Sequence, residues 1–240
     1  NIGGHHYPIS YEKVVPALFP HRYPAESRAV ELSLKNSSFY DHEELFWEME
    51  HENLKRQVKF DLMPLLTSGK YKHASFFAIA PQPLLTLLGT LLSDLPAIDV
   101  YQLQREPEQK WGWVTDDSPF ELIVHPPQKI HPTVALNLSL SATISPSRIT
   151  DILGEDTSIW TVTLVTPNNN FLKTKEQLML FRQTIRGLFD QIKLIHGQDN
   201  CIHVFPAAAV STAIELGRVW MPKADLPLVL YDQNPKTNTF

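Results

Sequence analysis

The sequence predicts an α/β fold made of two related strand–helix–strand units. Short apolar runs alternate with segments of helical periodicity, the pattern that builds a largely parallel sheet covered by helices. The punctuation of one strand–turn–helix–strand unit recurs near the C-terminus. The composition also suits a packed domain: of 240 residues 43% are hydrophobic and 20% charged, and the net charge is only -5. A chain of that length buries roughly 70–75% of the surface it exposes when unfolded, enough for a substantial core, and disorder is excluded.

The same numbers exclude whole classes of function. With one cysteine an internal disulfide is impossible, which removes the secreted disulfide scaffolds and C-x-x-C zinc sites and fits a reducing cytosol. The acidic balance argues against a domain that coats nucleic acid, while leaving room for a small anion held by local donors. The opening Asn1-Ile2-Gly3-Gly4 has no charged n-region leading into an apolar stretch and no initiator Met, so no signal peptide is read and the chain looks like a piece of a longer one.

In chain order, residues 1–40 are punctuated by Pro8, Pro16, Pro20 and Pro24 and read as a linker with one strand over 28–32. A long helix is predicted from Asp41 to about Leu66. Asp41 and Glu44 are spaced as a capping box, the glutamates lead and Lys55, Arg56 and Lys59 follow as the helix dipole favours, and Leu54, Val58, Leu62 and Leu65 share a core face. Residues 74–80 read as a strand buried on both faces, followed by a helix over 83–89 opened by proline. Residues 76–92 carry no formal charge, yet Pro81-Gln82-Pro83 breaks them, so strand–turn–helix is read and no membrane span is expected. Strands are predicted at 98–103, 120–124, 134–140 and 159–165, with a short helix at 145–153. A helix from Thr174 to His196 carries the stripe Leu178, Phe181, Ile185, Leu188, Ile192 and Ile195, which packing on a sheet explains.

The repeat is the most informative feature. Phe77-Ala78-Ile79-Ala80-Pro81 leads twelve residues after Phe77 to Gly89, then to Asp-Leu-Pro at 94–96 and the strand Ile98-Asp99-Val100-Tyr101-Gln102. Val204-Phe205-Pro206-Ala207 leads twelve residues after Phe205 to Gly217, then to Asp-Leu-Pro at 225–227 and Leu228-Val229-Leu230-Tyr231-Asp232. In open α/β sheets ligands bind beyond the carboxyl ends of strands, where helix N-termini aim N–H groups outward. Two halves related by a pseudo-two-fold axis would bring two such turns around one cleft suited to a ligand with two or three phosphates and several bases. The competing reading is that Pro81 and Pro206 only start helices.

These residues resemble the SAVED domain. Phe76-Phe77-Ala78-Ile79-Ala80-Pro81-Gln82-Pro83-Leu84-Leu85 with Leu88-Gly89 is similar to its first-half signature, together with Val100-Tyr101-Gln102 through Arg105 to Trp111-Gly112-Trp113. Residues 202–208, 215–217 and 229–231 are similar to its closing signature, and the likeness covers about 40–235. The resemblance implies two fused CARF-like Rossmann units, about 41–130 and 131–240, with residues 1–40 as the junction to a missing effector domain. It implies a sensor of a cyclic di- or trinucleotide in bacterial anti-phage (CBASS) defence, hence a cytoplasmic protein. Ligand-driven self-association would then switch on a fused nuclease acting on double-stranded DNA, an HNH endonuclease being favoured. Such a chain is a binding module with no catalytic residue, no metal and no cofactor other than the activating cyclic oligonucleotide.

The candidate ligand residues follow. Trp111, Trp113 and Trp160 offer aromatic faces on which a base gains about 1–3 kcal/mol by stacking, against ordinary core packing. Arg105 can pair bidentately with a phosphate or a guanine edge, against an exposed salt bridge. Pro81, Gln82 and Pro83 in one turn and Pro206, Ala207 and Ala208 in the other place main-chain groups near phosphate or ribose. Ser141 and Thr143 follow a strand and serve the ligand or cap a turn. Gln104, just past a strand, is placed to read a base. The ten histidines, His5-His6 included, form no His-x-x-x-His pair with a suitable carboxylate. Two other classes stay open on the sequence: a ring nuclease or nucleotide hydrolase, and an interaction module without a small ligand.

Overall fold

The computed structural model describes residues 9–33, 39–93, 97–116, 118–234 and 239–240. The opening residues 1–8, His5-His6 among them, and the Asp-Leu-Pro at 94–96 lie outside the described residues.

The first helix, α1 (Tyr11–Val14), runs into a 3-10 turn over Val15–Leu18. The strand expected at 28–32 does not form. The chain just beyond it is held by a side chain instead: Ser33 donates its N–H to Gln57 Oε1 at 2.8 Å and accepts from Gln57 Nε2 at 3.0 Å. The long helix is α2 (Glu44–Gln57), a π-turn over Val58–Leu62 and α3 (Met63–Thr67). Its N-cap is Glu43, not Asp41; the Glu43 carboxylate reaches back to accept the Tyr40 N–H at 2.6 Å. The π-turn precedes Pro64, which has no N–H to continue the i→i−4 ladder. Phe46, Leu54, Val58 and Leu62 are buried against Leu84, Leu85 and Leu88, while Leu65 is half-buried.

β1 (Ala74–Phe76) and β2 (Ile98–Val100) pair in parallel and are joined through α4 (Gln82–Leu91). β1 stops well short of Ala80 and all its residues are half-buried, because one face fronts a cavity under residues 9–33 rather than a second layer of helices. After Tyr101 the chain leaves β1 and pairs locally as the ribbon β3 (Leu103–Gln104) and β4 (Lys110–Trp111). β5 (Ile123–His125) follows.

The second sheet holds β6 (Thr133–Ser139), β7 (Thr157–Thr163), β8 (Ile202–Ala207) and β9 (Leu228–Leu230) in the order β5-β7-β6-β8-β9, parallel except for β5. Its connections carry α5 (Pro146–Leu153), α6 (Lys175–His196) and α7 (Val210–Val219). α6 starts on a capping box of Thr174 and Gln177. Its predicted stripe is buried from Leu178 to Ile192, and Ile195 in the last turn is 47% exposed. One sheet face packs Leu136, Leu138, Val162 and Val204 with α6; the other packs Ala135 and Phe205 with Ile149 of α5.

The β1–α4–β2 and β8–α7–β9 units meet through their helices. A Cβ on Gly89 would lie 1.9 Å from the Ile214 carbonyl oxygen, and one on Gly217 would lie 1.9 Å from the Thr86 carbonyl oxygen. Each glycine thus admits the carbonyl three residues before the other, a backbone approach that no side chain allows. The two units also share an internal contact: Phe77 stacks on Tyr101 at 4.6 Å and 19°, and Phe205 stacks on Tyr231 at 4.3 Å and 13°.

Candidate functional site

Parallel pairing sends β1, β6 and β8 toward the same kind of end, where a turn feeds each following helix. Pro81 caps α4 and Pro83 stands in its first turn; Ala209 caps α7. The amide of Gln82 crosses between units, donating Nε2 to the Ala208 carbonyl at 2.9 Å across 126 residues of sequence. Gln82 Oε1 is buried with no hydrogen-bond partner, an unmade bond that costs about 1–3 kcal/mol where no donor reaches it. Ala207 accepts from the N–H groups of Leu140 at 3.0 Å and Ser141 at 2.7 Å. The loop after β6 is braced from below: Ser139 Oγ donates to Asn137 Oδ1 at 2.8 Å and accepts the Ile144 N–H at 2.9 Å. The structure therefore gathers Pro81, Gln82, Pro83, Ser141, Ala207 and Ala208 in one place, with Thr143 exposed on the same loop. Pro206 is buried within β8, in register with Leu138.

A second pair of contacts crosses between the units in opposite directions. Gln102, two residues beyond β2, accepts from Ser211 Oγ at 2.7 Å at the start of α7. Asp232, two residues beyond β9, accepts the Gln82 N–H at the start of α4. Burial pushes the Asp232 carboxyl up to about 6, with the Asp41 charge adding to the rise and the Gln233 and Gln82 N–H groups opposing it. An N-terminal carboxylate is favoured by the helix dipole, but here desolvation outweighs it. Sequence reasoning singled out neither Gln102 nor Asp232 as a site residue, although the repeat had already aligned them.

The ribbon supplies the other candidates. Gly112 donates its N–H to the Gln102 carbonyl at 2.9 Å, and Val114 donates to the Lys173 carbonyl at 3.0 Å, so the ribbon lies across the starts of α7 and α6. Arg105 stands at its tip, exposed and without an ion pair among the described residues. Gln104 is 4% exposed, and its Nε2 is committed to the Gly112 and Leu172 carbonyls at 3.2 and 3.3 Å; it anchors the ribbon. Trp111 is buried edge-on against Phe77 at 5.4 Å, a core residue rather than an open platform. Trp113 is half-buried between two core clusters, and its Nε1 has no partner. Trp160 is 3% exposed and donates Nε1 to His196 Nε2 at 3.1 Å. His196 ends α6, so Trp160 belongs to the far end of the core, and the platform expected there is absent. Burial lowers the His196 pKa, which keeps the ring neutral and able to accept.

Among the described residues no group of three His, Cys, Asp or Glu side chains could hold a metal, and no helix is long and apolar enough to cross a membrane. What the turns can offer an anion is the N-terminus of α7; at α4 the Gln82 N–H is taken by Asp232, Pro83 has no N–H, and the Leu84 N–H bonds the Pro81 carbonyl at 3.1 Å. The orphaned Gln82 Oε1 adds an acceptor for a donor group.

No curated protein matches this sequence. Among solved structures, the fold is similar to the Cap4 SAVED/CARF-domain containing receptor of Acinetobacter baumannii at 13% identity and a TM-score of 0.51, over 77% of this chain and 39% of that one. It is similar also to that receptor with the cyclic trinucleotide 3'3'3'-cAAA, at 13% identity and a TM-score of 0.54, over 78% of this chain and 42% of the other. This chain thus spans about two fifths of the receptors it matches. The sequence model of the SMODS-associated and fused to various effectors sensor domain matches residues 54–240, and the chain belongs to this SAVED family.

Proposed function

We propose that the chain is the sensor of a longer effector and binds a cyclic di- or trinucleotide at the joined turns after β1, β6 and β8. The observation that carries this reading is the meeting of Gln82 with Ala208, which sets the N-termini of α4 and α7 side by side. The α7 N-terminus and the exposed Arg105 favour phosphate without a broad positive field, as a net charge of -5 requires. The receptor of similar fold that is solved with a cyclic trinucleotide supports the ligand class. The exchanged glycine contacts, the matched Phe–Tyr stacks and the paired Gln102 and Asp232 contacts support two CARF-like halves, about 41–130 and 131–240, related by a pseudo-two-fold axis. Arg105 closes over the ligand from the ribbon tip, and Trp113 offers its edge N–H or its face.

In the full-length protein, ligand binding drives self-association of the sensor and switches on a nuclease fused through residues 1–40, an HNH endonuclease being the favoured partner, within the bacterial cytoplasm. The test is a panel of cyclic di- and trinucleotides followed by thermal shift and by chromatography of the recovered ligand. A ligand at about 100 times its dissociation constant should stabilise the chain by roughly 2.7 kcal/mol and be recovered intact. Arg105→Ala should weaken binding at least tenfold, about 1.4 kcal/mol, with no change in the melting temperature of the free protein. Linear product would make the chain a ring nuclease instead. A panel that leaves the melting temperature unmoved would remove the sensor reading.

A further inference from the structure

A cavity of about 470 Å³ lies between two extended stretches of the first unit. One wall is residues 74–80 and the other residues 28–33, with Val14, Leu54 and Leu85 of α1, α2 and α4 closing it between them. Every residue of 74–80 lines it, whichever way its side chain turns, and no residue of β2 does. The cavity therefore runs along the edge of β1 as well as one face. β1 pairs with β2 on its other edge and with no described strand on this one. Side chains keep a strand's alternation as far as residue 80: Phe76, Ala78 and Ala80 pack with the cluster of α2 and α4, and Phe77 and Ile79 pack with Val14 and Leu18. Beyond Phe76 the stretch has the pattern of a strand and lacks the neighbour.

Residues 28–32 complement that edge. Leu32 already packs with the cluster that takes Phe76. A period of two puts Val30, now 48% exposed, on the same side as Leu32, and turns Ala29 and Glu31 to the other. The span is pinned at both ends: Lys70 Nζ and Tyr71 OH each donate to Glu26 Oε1 at 2.8 Å, and the Gln57 amide holds Ser33. Only residues 27–32 lie between, so bringing them to the edge costs little chain entropy. From Ser33 to Ala74 the chain runs through α2 and α3, the kind of helical crossover that joins parallel neighbours. The repeat marks the vacant place. β8, which it aligns with β1, has β6 as a parallel neighbour on the edge away from β9, where β1 has none.

We propose that residues 28–32 form a strap with two positions, and that in the second they enter the cavity as a third, parallel strand on the open edge of β1. Docking buries Val30 beside Leu32 and gives main-chain partners to 77–80. It also joins the segment that leads to the N-terminus to the sheet by a ladder, in place of side-chain ties such as the exposed Lys70–Glu26 pair, which are weak. The device is independent of what binds at the joined turns.

Hydrogen–deuterium exchange of the whole chain, compared with Ala29→Pro and Val30→Pro, tests it. Both positions are exposed and neither N–H has a partner among the described residues, so both prolines fit the open position. Neighbouring residues of a strand aim their N–H groups at opposite edges, so in the docked position one proline removes a bond to β1 and the other faces solvent, where an edge strand tolerates it. Exchange at 77–80 should be at least about threefold faster in one variant than in wild type, as a strap docked about two thirds of the time requires. It should be unchanged in the other variant, with β6 and β8 unchanged in both. The apolar dye ANS should bind the accelerated variant more strongly than the other two proteins. Equal exchange at 77–80 in all three proteins, or equal acceleration in both variants, overturns the proposal. Equal exchange with strong dye binding by wild type would make the cavity an open site for a small apolar molecule instead.

Discussion

Replacing Gly217 by alanine tests the packing on which the joined turns depend. The added Cβ would stand 1.9 Å from the Thr86 carbonyl oxygen and 2.8 Å from the Thr90 nitrogen. Ordinary van der Waals contact needs about 3.5 Å, so α4 and α7 must separate by roughly 1.5 Å along that direction. The obstructing atoms are backbone, which cannot rotate aside as a side chain would. Overpacking with side-chain relief costs about 1–3 kcal/mol, so about 3 kcal/mol or more is expected here, against a gain of up to about 1 kcal/mol in helix propensity. At this chain length each kcal/mol moves the melting temperature by about 2–4 °C, giving a fall of roughly 6–12 °C. Gly89→Ala should cost the same, since its Cβ would meet the Ile214 carbonyl at 1.9 Å. The double variant should cost clearly less than the sum, because one separation relieves both clashes. Gly187→Ala is the control: this α6 glycine is exposed and nothing lies within 4 Å of the added atom, so it should stabilise by about 0.5–1 kcal/mol. Urea unfolding reads all four proteins. A Gly217→Ala chain as stable as wild type, or strict additivity in the double variant, would refute the close crossing.

Two further outcomes follow from buried polar groups. Asp232→Asn should stabilise the chain at pH 8 by about 1–2 kcal/mol: the folded pKa near 6 lies about 2 units above that of a free aspartate, at about 1.4 kcal/mol per unit and discounted for screening. Because the folded pKa is raised, the wild-type contribution is fully present below pH 4 and lost as pH rises through 6, so the gain should shrink toward zero at pH 4; a gain independent of pH would rule out Asp232 as its source. Trp160→Phe should lower stability by about 1–3 kcal/mol through the stranded His196 acceptor and the lost ring volume while leaving ligand affinity untouched, and a titration showing weaker binding by a fully folded variant would return Trp160 to the site.

The elements themselves were legible because each is a local pattern. The 3, 4, 3, 4 spacing from Leu178 to Ile192 places α6 almost to the residue, and the structure adds a capping box of Thr174 and Gln177 at its start. Elements whose limits depend on distant partners were less legible. The segment at 28–32 has strand composition, yet it stands across a cavity from β1 instead of pairing with it, and the Gln57 amide takes the place of a neighbouring strand at Ser33. The run from 74 to 80 is apolar throughout, yet β1 ends where β2 stops pairing with it. Burial by itself did not separate the tryptophans either: Trp111, Trp113 and Trp160 are alike in sequence, and only their neighbours assign Trp111 and Trp160 to the core.

The candidate site was half legible for a physical reason. Its parts are the ends of elements, and the repeat located them unevenly: Pro81 caps α4, whereas Pro206 stays within β8 and α7 is capped by Ala209 three residues on, while Gly89 and Gly217 both admit a carbonyl. What joins the parts is side-chain chemistry reaching from one unit to the other. Gln102 and Asp232 stand at matching places after matching strands, and each serves the first turn of the other unit's helix with a different functional group, an amide for α7 and a carboxyl for α4. Matching backbone geometry thus carries unlike chemistry at the two turns. The glycine crossing holds α4 and α7 backbone to backbone just behind those turns, so the place of each helix N-terminus depends on the packing of the other helix. The same two glycines that disclose the repeat in the sequence are therefore the residues that let the helices of the two units meet.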